Sequence, residues 1–154
     1  MIVVVIIAIL AAIAVPALTG DSRKTKANAE TTAFFAELGI REEQYKVDNG
    51  VYLATATCPA APSSAGQAVI CNQTGQAWDG LNVTLPTSNA YCSYTITIGT
   101  GTGTTNPIAG FTFDSPAGNW YYIYATCDMD GDGTPSEYFT SSVDSTIQKV
   151  NEGE

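Results

Sequence analysis

Histidine is absent from this chain of 154 residues, and lysine and arginine together number only six. The first absence excludes Ser-His-Asp and Cys-His catalysis, imidazole acid–base chemistry and histidine-based zinc sites. The second is set against fifteen acidic residues and a formal net charge of −9. It argues against specific nucleic-acid binding, which needs a basic stripe to neutralise phosphates. No Cys-x-x-Cys pair occurs, so the usual spacing of a metal knuckle is missing as well. A phosphate loop is also excluded. Gly99-Thr100-Gly101-Thr102-Gly103-Thr104 is rich in glycine, but no lysine follows and no helix is expected to open after it. No enzymatic chemistry and no organic cofactor are expected of what remains.

What is present is concentrated at the start. Met1 to Leu18 carries no charge and no polar side chain, and the polar, basic run Thr19-Gly20-Asp21-Ser22-Arg23-Lys24-Thr25-Lys26 follows at once. As a helix the apolar segment would measure roughly 27 Å, close to the hydrocarbon thickness of a bilayer at about 30 Å. It lacks the basic opening and the clustered small residues of a secretory signal. Charge divides at the same place. Asp21 against Arg23, Lys24 and Lys26 leaves residues 1–26 net positive, whereas the rest sets Arg41, Lys46 and Lys149 against all the other acids. Two parts are expected: a hydrophobic N-terminal helix segment over 1–26 and a head over 27–154.

The run from Met1 to Pro16, MIVVVIIAILAAIAVP, resembles the interior of the N-terminal helix of type IV pilins. In that family the mature sequence reads F-T-L-I-E-L-M-I-V-V-x-I-I-x-I-L-A-A-I-A-x-P. The motif would place about six further residues, F-T-L-I-E-L, ahead of Met1. The resemblance implies an α+β fold, with a long N-terminal helix packed on a four-stranded antiparallel sheet. It implies a major pilin, the structural subunit of an extracellular type IV pilus, active in adhesion or motility. Its partners would be identical subunits in a helical filament, the inner membrane before assembly, and the pilus assembly machinery. Ala8 to Pro16 would lie in the filament core, with Pro16 as a kink. A pseudopilin of a type II secretion system is the first alternative, and a membrane-anchored, calcium-dependent binding module the second.

After Pro16 a helical pattern resumes, with Ala27, Thr31, Phe34, Leu38 and Tyr45 on one face and Lys26, Glu30, Glu37 and Glu43 on the other. Gly39 is expected to bend the helix gently, and Asp48-Asn49-Gly50 to stop it. Tyr52 to Ala90 reads as a long irregular connection containing Trp78. Strands are expected at Tyr91–Ile98, Ile108–Phe113, Trp120–Thr126 and Glu137–Val143, with Ile147–Val150 as a short edge addition. Asn72-Gln73-Thr74 and Asn82-Val83-Thr84 meet the N-glycan acceptor pattern, a weak signal in a threonine-rich chain.

Cys58, Cys71, Cys92 and Cys127 are even in number and well spread, which in an exported chain reads as two disulfides. Three pairings are open. The favoured one closes the short Pro/Ala/Ser-rich loop as Cys58–Cys71 and leaves Cys92–Cys127. In a simple meander those last two would begin one strand and end another, at opposite ends of the sheet. The remaining motif is Asp128-Met129-Asp130-Gly131-Asp132-Gly133. Carboxylates at the first, third and fifth places and glycine at the sixth match the opening of an EF-hand-type calcium loop. Candidate ligands are Asp128, Asp130, Asp132, the carbonyl of Thr134 and Glu137. The position of the bidentate glutamate is taken by Phe139, and an Asp/Gly hairpin turn is the competing explanation.

Overall fold

The structure, a computed structural model, describes residues 2–152, and within the first helix the side chains of Val3, Val4, Ile7 and residues 20–49. Helix α1 (Ile2–Asn49) is continuous over 48 residues, roughly 72 Å long. It ends as the sequence anticipates. Gly50 takes a left-handed φ of 78° and donates its N–H to the Lys46 carbonyl at 2.8 Å. Among the described residues no helix is long and apolar enough to cross a membrane, and most of Met1–Leu18 falls on side chains outside that description. The side chains of Ala8 and Pro16 are among them.

The buried stripe of α1 comprises Ala27, Thr31, Phe34, Phe35, Leu38 and Glu42, at the three- and four-residue spacing that places side chains on one helical face. Tyr45 is half-buried against the same core. Gly39 stands on the helix face turned to the sheet. A Cβ added there would lie 3.2 Å from the Tyr121 hydroxyl, so the missing side chain leaves room for that group between helix and sheet.

Among the described residues seven strands follow: β1 (Thr55–Cys58), β2 (Gln67–Ala68), β3 (Asn89–Ala90), β4 (Cys92–Thr100), β5 (Asn119–Cys127), β6 (Ser136–Ser141) and β7 (Gln148–Val150). Five make one antiparallel sheet in the order β1-β4-β5-β6-β7, and β2 pairs with β3 separately. The α+β class holds, but the sheet has five strands and not four. Two expectations fail in opposite directions. β1 arises inside the stretch read as irregular, and the expected strand Ile108–Phe113 is no strand at all.

Tertiary packing explains the second failure. Phe111 and Phe113 alternate as strand residues do, yet they bury by folding back over Trp120, Tyr122 and Phe139 on the sheet face away from α1. Gly110, at a φ of 87°, interrupts extended geometry. The Gln148 side-chain amide then takes the place of a ladder, accepting the Thr112 N–H at 2.7 Å and donating to the Thr112 carbonyl at 2.8 Å. Both faces of the sheet are therefore covered. Tyr94, Ile96, Ile123, Ala125 and Tyr138 meet the helix, and the aromatic set covers the other side.

With 108–113 removed from the sheet, β4 and β5 become direct neighbours in full register, and Cys92 stands opposite Cys127. The expectation that these two lie at opposite ends of the sheet is thereby corrected: the start of one strand and the end of its antiparallel neighbour share an end. The structure pairs Cys92 with Cys127, Cα atoms 4.2 Å apart, and Cys58 with Cys71, Cα atoms 5.9 Å apart.

Candidate functional site

The turn between β5 and β6 holds the acidic motif. β5 ends at Cys127 and β6 begins at Ser136, so residues 128–135 must reverse the chain between paired strands. Gly131 and Gly133 supply left-handed backbone at φ of 79° and 86°, as so tight a reversal requires. The reversal gathers Asp128, Asp130 and Asp132, with one carboxylate oxygen of each within 4.8 Å of the others. Asp132 is exposed and the other two half-buried.

The turn's own backbone engages these carboxylates. Asp128 accepts the Gly131 N–H at 2.7 Å on Oδ1 and the Gly133 N–H at 3.2 Å on Oδ2. Asp130 Oδ1 accepts the Asp132 N–H at 3.3 Å, and Asp132 Oδ1 accepts the Thr134 N–H at 2.7 Å. Arg23 of α1 reaches Asp130 Oδ2 at 3.4 Å. Side chain-to-backbone bonds two and three residues on are what Asx turns use to hold a reversal. Mutual repulsion is thus offset in part by four N–H donors and one guanidinium, with oxygen lone pairs left over for a hard cation.

The two remaining candidates make contacts of their own. Thr134 enters the turn through its backbone N–H. Glu137 lies on β6 opposite Thr126, and its Oε1 accepts the Tyr124 hydroxyl at 2.7 Å. The gathered carboxylates are the three aspartates without it. The Tyr124 hydroxyl, held by burial and by this carboxylate, has its pKa pushed well above the ordinary tyrosine value.

The charged face of the helix is engaged by the connection running from α1 to β4. Glu30 accepts the N–H groups of Tyr91 and Cys92, each at 2.9 Å on Oε1, and the Tyr94 hydroxyl at 3.1 Å. Burial raises its pKa against the pull of those donors and Lys26. Glu37 bridges Arg41 and the Thr84 N–H, both at 2.7 Å. Lys26 lies over the Tyr91 ring, 3.4 Å from its centroid. Sequence reading missed these anchors because helical periodicity gives a side chain's face and not what a long loop lays across it. Glu152 ties the segment after β7 to α1 through Lys24 at 2.9 Å and Asn28 at 3.0 Å, with Lys149 also at 3.0 Å. Hydrogen bonds from Lys24, Lys149 and Asn28 hold the Glu152 carboxyl down at about 2.

The amino-terminal end of α1 presents a different kind of surface. Val3, Val4 and Ile7 are 67%, 69% and 60% exposed. Among the described residues the first ion pairs to the head are those of Arg23 and Lys24. Family models, curated proteins and solved structures give no match to this chain.

Proposed function

We propose that this chain is the structural subunit of an extracellular filament of the type IV pilus kind. The observation carrying the reading is the long helix, with apolar side chains bare near its start and the head gathered on its later half. Exposed apolar surface costs about 25 cal/mol per Å² relative to burial, so such a stalk requires cover. A bilayer would supply it before assembly and the stalks of identical subunits afterwards. The two disulfides suit a head displayed outside the cell. No catalytic step is assigned, and adhesion or motility would belong to the fibre.

Electron microscopy of sheared cell-surface material, with mass spectrometry of its protein, tests this. Filaments containing the chain are expected, and in their density map the helix should be broken or extended between Ala8 and Pro16. Pro16 lacks the backbone donor and crowds the carbonyl of Ala12, and subunits shifting past one another would open that turn. Surface material without filaments would reject the pilin reading, and a straight helix through Pro16 would reject the break. The acidic turn favours a second reading, a pseudopilin or anchored module that binds calcium through Asp128, Asp130 and Asp132. That reading expects the protein in the membrane fraction and no surface fibre.

A further inference from the structure

Two flanks of α1 are occupied within the head. The buried stripe faces the core, where Glu42 accepts the Leu53 N–H at 2.9 Å. The charged flank lies against the connection, with Glu37 accepting the Thr84 N–H and Glu30 those of Tyr91 and Cys92. A third flank, carrying Thr32, Ala36, Ile40 and Val47, stays exposed, Ile40 at 55% and Val47 at 83%. Between it and the sheet runs a groove of about 810 Å³. Along the helix the groove extends from Thr32 to Asp48, roughly 24 Å at 1.5 Å per residue. Phe35, Tyr121, Ile123 and Ile147 add apolar lining from inside the head. On the sheet side, the hydroxyls of Thr140 and Ser141 are turned to the Asp144 carbonyl, each at 3.4 Å, and Ser141 also accepts the Val143 and Asp144 N–H groups. An occupant therefore meets a long apolar seat whose polar groups are already engaged.

The same molecule carries a surface of matching length and chemistry. Residues 1–18 have no polar side chain, and as a helix they measure roughly 27 Å. Val3, Val4 and Ile7 stand exposed there. The charges at the ends match as well. Glu43 and Asp48 line the groove towards the end of α1, and the apolar run is followed by Arg23, Lys24 and Lys26. A helix entering parallel to α1 sets that basic run beside those acids, whereas an antiparallel one carries it to the Thr32 end, away from them.

We infer that the groove is the seat of the apolar stalk of a second copy of this chain, lying parallel to α1. The inference rests on the filament reading above and names a contact within it. Groove and stalk are different surfaces, so the contact is heterologous: each copy gives its stalk to one neighbour and its groove to another. A parallel shift along the axis leads away from the starting copy, and the series stays open as a fibre requires. Setting Lys24 beside Asp48 fixes that shift at about 24 residues, roughly 36 Å along the helix axis. Residues 8–18 of the incoming stalk then lie beside residues 32–42.

The test places a photo-reactive residue in turn at Thr32, Ile40 and Val47 of the full chain. Filaments sheared from cells, and purified chain diluted out of detergent, are irradiated and the adducts mapped by mass spectrometry. Attachment is expected within residues 1–24 of a second copy. Moving the probe from Thr32 to Val47 should carry the attachment point towards Lys24 by a similar number of residues. Ile40→Asp, probed from Thr32, should lower the yield about tenfold or more, because an unpaired charge would be buried in the contact. Val143→Asp, at an exposed apolar residue outside the lining, should leave the yield unchanged. Circular dichroism should show both variants folded as the parent is, and Val47→Asp takes the place of Ile40→Asp if that variant does not fold. Attachment only to another head, to lipid or to an unrelated protein overturns the seat, however abundant the filaments. So do attachment points that ignore the probe's position, or the lack of any intermolecular adduct in both samples. Ordered adducts in the diluted chain without filaments on cells uphold the seat and reject the extracellular fibre.

Discussion

Gly99 shows how much a single hydrogen can decide. The sequence presents it as the first member of a Gly/Thr turn, yet it lies within β4, paired with Trp120 of β5. A Cβ added there would stand 2.2 Å from the Trp120 ring, which lies over the bare backbone and donates its indole N–H to the Gly101 carbonyl at 3.0 Å. Strand glycine is usually a weakness, and covering by a cross-strand aromatic is a known remedy. Gly99→Ala is therefore expected to destabilise by about 1–3 kcal/mol, as overpacking does. The corresponding fall in Tm is about 2–4 °C per kcal/mol for a chain of this size. Gly118→Ala, with open space around the added carbon, should change Tm little and serves as the control. Equal melting temperatures for the two variants would mean that Trp120 moves aside freely.

Elements were legible where their own periodicity governs them. The helical stripe, the stop at Gly50, and strands β4, β5 and β6 each follow from residue spacing, and the cysteine pairing favoured on loop length is the pairing found. The errors came where packing against a distant segment decides. Phe111 and Phe113 alternate as a strand would and instead cover one, and Thr55–Cys58 becomes a strand because β4 offers it an edge. The acidic turn was legible as a cluster, whereas the partners of Glu137, Arg23 and Glu42 depend on which elements meet. The disulfides divide along the same line. Cys92–Cys127 spans 35 positions and links the paired ends of β4 and β5, while Cys58–Cys71 spans 13 and staples the connection. Loop closure alone makes the longer bridge worth about 4 kcal/mol and the shorter about 3. Serine at both Cys92 and Cys127 should lower Tm more than serine at both Cys58 and Cys71, since the former pair is also fully buried. The reverse ranking in calorimetry would count against the hairpin as the stronger staple.

At the scale of the molecule, the acidic turn joins three parts: the end of β5, the start of β6 and, through Arg23, the helix where it enters the head. A cation held by Asp128, Asp130 and Asp132 would therefore act on the docking of stalk and sheet together. If calcium binds there and only to the folded chain, it stabilises by RT ln(1 + [L]/Kd), about 2.7 kcal/mol at a hundredfold excess over Kd. Weak extracellular calcium sites reach that regime only at high calcium, because their dissociation constants lie at about 10⁻⁴–10⁻³ M. The Arg23 guanidinium occupies Asp130 Oδ2 and competes for the same oxygen. Three melting curves of the full chain in detergent, with calcium, with magnesium and with chelator, give the first test. Calcium alone should raise Tm, and Asp130→Asn should remove most of the rise. Arg23→Ala should leave the rise intact and move its midpoint to lower calcium, because the exposed ion pair contributes little to stability by itself while its loss frees a ligand oxygen. If neither calcium nor the Arg23 substitution shifts the curve, the four backbone N–H donors are sufficient for these carboxylates and the turn is a hairpin reversal without a metal.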